Sequence, residues 1–233
     1  LAITPQSNEA FLREVDEELR RDQLATFWER HGRWLIVGII AALSLFGGWL
    51  YWQHHREQVA GAEGEKLADA YRALGEEKTQ TAQPVLNSLA SSSRPGIRAS
   101  ALATQADLLL EKKDTKGAAA KFAAIAGDSS IGQPLRDLAL VRQTAAEFDT
   151  LRPQVVVERL RSLAVKGNPF FGSAGEMVAI AQLRMGRRDL AGQMLGQIAN
   201  DPDVPATIRQ RTVQMAGAMG VDAIADSKDN KSQ

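Results

Sequence analysis

Residues 95–127 read PGIRASALATQADLLLEKKDTKGAAAKFAAIAG, and the architecture of the chain turns on this stretch. Pro95 suits a helix start, because the N–H it lacks would have no partner in a first turn. A helix then runs through GIRASALATQADLLLEK, the chain breaks briefly, and TKGAAAKFAAIAG supplies a second helix. The arrangement recurs. Prolines stand at Pro95, Pro134, Pro169 and Pro205, separated by 39, 35 and 36 residues. The later three open LRDLALVRQTAAEF, FFGSAGEMVAIAQLRMG and ATIRQRTVQMAGAMG, with RPQVVVERLRSLAV and RRDLAGQMLGQIAN as further second helices. Paired helices at a period near 35 residues predict an α-solenoid, in which each pair buries its apolar face only against its neighbours. A non-repetitive helical bundle is the competing architecture.

Just upstream, Gln58 to Leu74 reads as a helix with Leu67, Ala70, Tyr71 and Leu74 on its apolar face. Gly75 is placed to cap it. A short helix from Pro84 to Ala90 precedes the turn Ser91-Ser92-Ser93 and the first repeat.

Further toward the N-terminus, Trp34 to Trp52 reads WLIVGIIAALSLFGGWLYW without a charged residue. A helix of that length spans roughly 28 Å, close to the apolar thickness of a bilayer. Its Leu, Ile, Val and Phe side chains favour insertion by about 4 kcal/mol, and Trp34, Trp49, Tyr51 and Trp52 mark its ends as interfacial aromatics do. A single transmembrane helix is predicted over 34–52. Ala60-Gly61-Ala62 has the form of a signal-peptide cleavage site, but it lies well beyond the apolar run, and the 33 residues before the run carry seven acids against five bases. The expectation is an uncleaved anchor. Arg20, Arg21, Arg30 and Arg33 precede the span, against Arg56 and Lys66 after it, with Arg72 entering in a wider window. The bias predicts a cytoplasmic N-terminus and an exported C-terminal domain. Gly38–Ala42 and Ser44–Gly48 carry small-xxx-small spacing, which lets spans approach one another.

The domain plan is therefore an amphipathic cytoplasmic tail over 1–33, the span over 34–52, a helical domain over 53–220 and a disordered polar tail over 221–233. In the first tail, Phe11, Leu12, Val15 and Leu19 repeat at helical spacing. They suit a helix resting on headgroups or a docking helix for a cytosolic partner.

Composition narrows the function. The 233 residues carry 28 basic and 28 acidic side chains, so no basic stripe points to nucleic acid. Cysteine is absent, and His31, His54 and His55 all flank the apolar run. From Arg56 onward there is neither His nor Cys, which removes histidine bases and His/Cys metal sites there. Glu65, Asp69, Glu76 and Glu77, interleaved with Lys66 and Arg72, read as a solvated face. No glycine loop suited to phosphates appears. The expectation is a protein that is not an enzyme, with no cofactor, no metal and no small-molecule substrate. A solenoid instead offers an extended surface to protein partners. Arg98, Gln105, Arg142, Gln143 and Gln182, polar residues of the first helices, are the partner-binding candidates.

The second helices resemble those of the tetratricopeptide repeat, with a small residue, a large one four positions on and an apolar one three further. Ala118, Phe122 and Ile125 fit, as do Ala191, Leu195 and Ile198, and the middle unit keeps Val156, Leu160 and Leu163. The usual first-helix Trp and Tyr are absent, with Leu102 and Leu109 in their places, so the repeat is divergent. The fold class expected is all-α, a single N-terminal transmembrane helix followed by a divergent tetratricopeptide-like α-solenoid. The whole order, with TPQSNEAFLREVDEELRRDQ, FWERHGRWLIVGIIAAL and YWQHHREQ around the span, resembles the YfgM-type ancillary subunits of the bacterial SecYEG translocon. That resemblance implies a single-pass protein of the bacterial inner membrane. Its C-terminal domain would be periplasmic, a scaffold that meets the translocon and periplasmic chaperones during protein translocation. An adaptor for another envelope complex, such as cell-division or outer-membrane assembly machinery, carries the same sequence pattern.

Overall fold

The structure, a computed structural model, describes residues 5–220, with side chains described for 32–55 and 61–220. The polar tail over 221–233 and the apolar face of Phe11, Leu12, Val15 and Leu19 lie outside these described residues and side chains. Among the described residues there is no β-strand; helices are joined by short turns and connecting residues. The chain divides into two compact units, Leu1–Gly61 and Ala62–Gln233.

Helix α1 (Pro5–Gly75) supplies the described backbone of the first unit and extends into the second. Within it, Gly32–His55 is long and apolar enough to cross a bilayer, and residues 33–55 are all exposed. Ile40, Leu43 and Phe46 are 58, 64 and 57% exposed. Aromatic contacts gather near the end of the stretch: Phe46 lies 6.0 Å from Trp49, and Tyr51 stacks on His55 at 6.3 Å.

In the second unit α1 is followed by α2 (Thr79–Leu89), α3 (Pro95–Glu111), α4 (Thr115–Gly127) and α5 (Gln133–Glu147). Then come α6 (Pro153–Leu160), α7 (Phe171–Arg184), α8 (Arg188–Ala199) and α9 (Ala206–Ala218). Helix α3 packs on α4, α5 on α6 and α7 on α8, and α3, α5, α7 and α9 also touch in series. This is the stacking an α-solenoid requires. Prolines sit in the first turns of α3, α5 and α6, and Pro205 precedes α9 as its cap residue. Asp114 caps α4 by accepting from the Gly117 N–H at 2.8 Å, which satisfies one of the orphan donors of a helix start.

The second helices bury their motif residues. Ala118, Phe122 and Ile125 are 0, 1 and 2% exposed, and Ala191, Leu195 and Ile198 are all 0%. Val156, Leu160 and Leu163 join Ala174 and Val178 of α7 in one cluster. Leu163 belongs to a turn, however. The helix expected to reach Val165 ends at Leu160, and residues 161–165 continue as turns that still bury Leu163. Beyond them Gly167 takes φ +87°, and Pro169 disfavours helical backbone at Asn168, so no helix can pass from α6 into α7.

Two expectations ahead of Pro95 are corrected. Pro84 does not open a helix; it lies inside α2, which begins at Thr79. Ala82, Leu86 and Leu89 are 0, 0 and 2% exposed and reproduce the small–large–apolar spacing, clustered with Ala70 of α1 and Ala101 of α3. The repeat thus begins one unit earlier than Pro95, with the last turns of α1 as its first helix. Nor does Gly75 form the left-handed cap. Glu77 takes φ 61°, and Lys78 N–H reaches back to the Ala73 carbonyl at 2.8 Å. The same closure ends α3, with Lys113 at φ 62° and Asp114 N–H on Leu109 at 2.8 Å, and α7, with Gly186 at φ 74° and Arg187 N–H on Gln182 at 2.9 Å. These are Schellman-type ends, in which one left-handed residue satisfies the last carbonyls.

Candidate functional site

Three of the five polar candidates, Arg98, Gln105 and Arg142, bond to other segments of the repeat. Arg98 on α3 donates from Nε and Nη2 to Asp128 Oδ2 at 3.0 and 2.6 Å, and from Nη2 to Ser130 Oγ at 2.6 Å. Its Nη1 reaches the Ser92 carbonyl. Ser130 also donates from its hydroxyl (2.6 Å) and its N–H (2.9 Å) to Asp128 Oδ1. The Ser130 hydroxyl, Arg98 and the Ser130 N–H together hold the Asp128 carboxyl down at about 2. Each of these groups binds the charged form.

Gln105 is buried on α3 and donates from Nε2 to Asn87 Oδ1 of α2 at 2.9 Å. Gln143 is half-buried on α5, and Gln182 is buried on α7. Arg142 on α5 forks onto Asp107 of α3 and lies over the Phe122 ring, 4.6 Å from its centroid. Arg184 repeats that pattern one unit on, pairing with Asp149 at 3.0 Å and stacking over Phe148 at 4.4 Å. Arg211 of α9 forks onto Glu176 of α7, and this pairing raises the Arg211 pKa above its ordinary value.

Of the five candidates, Arg142 alone lines a cavity of about 250 Å³ formed by α1, α3, α4 and α5. Its lining includes Ala99, Ala103 and Ala139 together with the buried Phe122 and Ile125. Its rim carries Tyr71, Leu135 and Leu138, which are 45, 44 and 41% exposed. These three were not among the candidates read from sequence, because apolar residues at helical spacing look like core until neighbouring helices are placed. Thr104 at the rim donates to the Ser100 carbonyl at 2.9 Å. Among the described residues, no group of His, Asp and Glu side chains is arranged to hold a metal ion.

Comparison with known families matches the tetratricopeptide repeat-like domain over residues 25–160, a range that takes in the apolar stretch of α1 and continues to the end of α6. No curated protein and no solved structure matches the chain. Helices α7 and α8 lie beyond the matched range and still carry the buried motif of Ala191, Leu195 and Ile198. With the family model covering more than half of the sequence, the chain belongs to the tetratricopeptide repeat-like domain family, whose stacked helices act as protein-interaction scaffolds.

Proposed function

We propose that the chain is a membrane-anchored scaffold whose helical repeat binds protein partners in the bacterial periplasm, in company with the Sec translocon and periplasmic chaperones. The observation that carries the scaffold reading is the tetratricopeptide repeat-like match over residues 25–160. The anchor rests on Gly32–His55, whose apolar side chains have no protein cover. A bilayer satisfies such a helix because its backbone bonds are internal and its side chains meet lipid. The excess of Arg before the stretch supports an N-terminus in the cytoplasm. The translocon and chaperone partners follow from the resemblance of the residues around the span to YfgM-type subunits. An adaptor role in another envelope complex differs only in the partner.

Arg98, Gln105, Arg142, Gln143 and Gln182 remain the proposed polar contacts. Gln143 and Arg142 have solvent exposure to offer a partner, whereas Gln105 and Gln182 would have to be uncovered first. Photocrosslinking in intact membranes, from probes at Gln143 and Leu138, tests the assignment. Capture of translocon subunits or periplasmic folding factors is the expected result. Another envelope complex in their place would establish the adaptor role, and exclusively cytosolic partners would reverse the orientation. Because the chain has no cysteine, a single Cys at exposed Ser91 reports topology independently. It should react with a membrane-impermeant maleimide added from the periplasmic side.

A further inference from the structure

We propose that the cavity between α1, α3 and α5 receives an uncharged apolar side chain, of the leucine or phenylalanine class, from a peptide segment of a protein partner. This rests on the scaffold reading above and names the chemistry it recognises. Exposed apolar surface is concentrated there. The large apolar side chains exposed in the described part of the second unit are Tyr71, Leu135, Leu138, Val165 and Leu190, and the first three line this one cavity. Such clustering on a water-facing surface marks an interaction site rather than ordinary exposure.

Charge selects the occupant. The charged groups of the lining, Asp107 and Arg142, fork onto one another, and the Arg142 guanidinium is further occupied by the Phe122 ring. No charge is left over to hold a carboxylate, phosphate or ammonium group. A charged side chain entering the cavity would lose water with nothing to replace it. The matching occupant is neutral and apolar. Size limits it as well. A volume of about 250 Å³ is below the roughly 300–1,000 Å³ of sites that engulf a whole small molecule. It still exceeds the about 150 Å³ that suffices for a benzene ring. One or two side chains fill it.

The test uses the full chain in phosphatidylcholine nanodiscs and a capped, fluorescent Gly/Ser peptide carrying two leucines, with versions carrying two glutamates or two lysines. The leucine peptide should bind saturably and at least about ten-fold more tightly than either charged version. Leu138→Glu and Ala103→Phe should each weaken binding by about ten-fold or more, and Leu190→Glu, outside the cavity, should leave it unchanged. Tyr71→Ala provides a second rim variant if Leu138→Glu lowers the melting temperature. Equal affinity for the three peptides overturns the proposal, as does unchanged binding by the folded cavity variants. Two other results overturn it in favour of another occupant: dimerisation abolished by Leu138→Glu points to a second copy, and competition by added free lipid points to an acyl chain. Partner crosslinks that persist without peptide selectivity would sink the cavity assignment alone. Peptide binding without partner crosslinks would sink the translocon reading and leave the cavity standing.

Discussion

Leu43 in the first unit and Leu86 in the second are the same side chain in opposite surroundings: one is 64% exposed and the other fully buried. The difference is one of pattern. Around Leu43 apolar residues point in every direction of the helix, so packing against a single face would leave most of them uncovered. Around Leu86 they return at the spacing of Ala82, Leu86 and Leu89 and leave the opposite face to polar residues. Hydropathy alone therefore does not separate these two exposures; the angular distribution of the apolar residues accompanies the difference.

The largest effect that would separate the two regions is at Phe122, 1% exposed and in contact with the Arg142 guanidinium. Phe122→Ala should cost about 3–5 kcal/mol in the stability of the repeat, seen as a large fall in melting temperature, while membrane fractionation stays unchanged. Concerted loss of both would show that the two regions are not independent. The reciprocal change is Leu43→Arg, which places a charge at the centre of the apolar stretch. Insertion should become less favourable by about 3–4 kcal/mol. Carbonate extraction should release more of the protein, and the repeat should melt as before. If Leu43→Arg left membrane retention intact, another segment would hold the protein to the bilayer.

A smaller contrast lies inside the repeat, between two helical glycines. A Cβ at Gly172 would stand 2.8 Å from Val204 Cγ1, whereas a Cβ at Gly196 meets nothing within 4 Å. Valine is stiff about χ1 and is packed here, so it cannot retreat cheaply. Gly172→Ala should destabilise by about 1 kcal/mol even after the helix propensity gained. Gly196→Ala should stabilise by a few tenths to about 1 kcal/mol. Thermal melts of the two variants should move in opposite directions, and a shared sign would mean that packing around α7 is looser than its contacts indicate.

What could be read without coordinates follows the same division. The uncharged run from Trp34 to Trp52 and the bounds of α4 are written in local signals: composition in one case, the Asp114 cap and the flanking breaks in the other. Helix α2 was misplaced because Pro84 carries a strong local message that burial of Leu86 and Leu89 overrides. Glu77 was missed as the left-handed residue because intrinsic preference points to Gly75, whereas the closing bond is fixed by where Lys78 N–H meets Ala73. For the candidate site, the polarity of Arg98 and Arg142 was legible. Their engagement with Asp128 and Asp107, 30 and 35 residues away, was not. The exposure of Tyr71, Leu135 and Leu138 depends on the same distant geometry.

The subtlest difference between the regions is in their response to acid. The described apolar stretch between Trp34 and Trp52 has no carboxylate to titrate, but the repeat holds Asp128 in its charged form with Ser130 and Arg98. Its carboxyl sits at about 2 in the folded chain, below the ordinary 3.8. A depressed folded-state value means that the unfolded chain takes up the proton first as pH falls. The associated stability is therefore complete above about pH 4 and is lost between there and about pH 2. Asp128→Asn removes that component: it should lower the melting temperature modestly at pH 7 and flatten its decline between pH 4 and pH 2. Ser130→Ala should act in the same direction, since the hydroxyl bond is the largest of the effects holding the carboxylate charged. Wild-type and Asp128→Asn melting curves that fall in parallel across that window would show that the Arg98–Asp128 contact fixes the turn by geometry and contributes nothing through its charge.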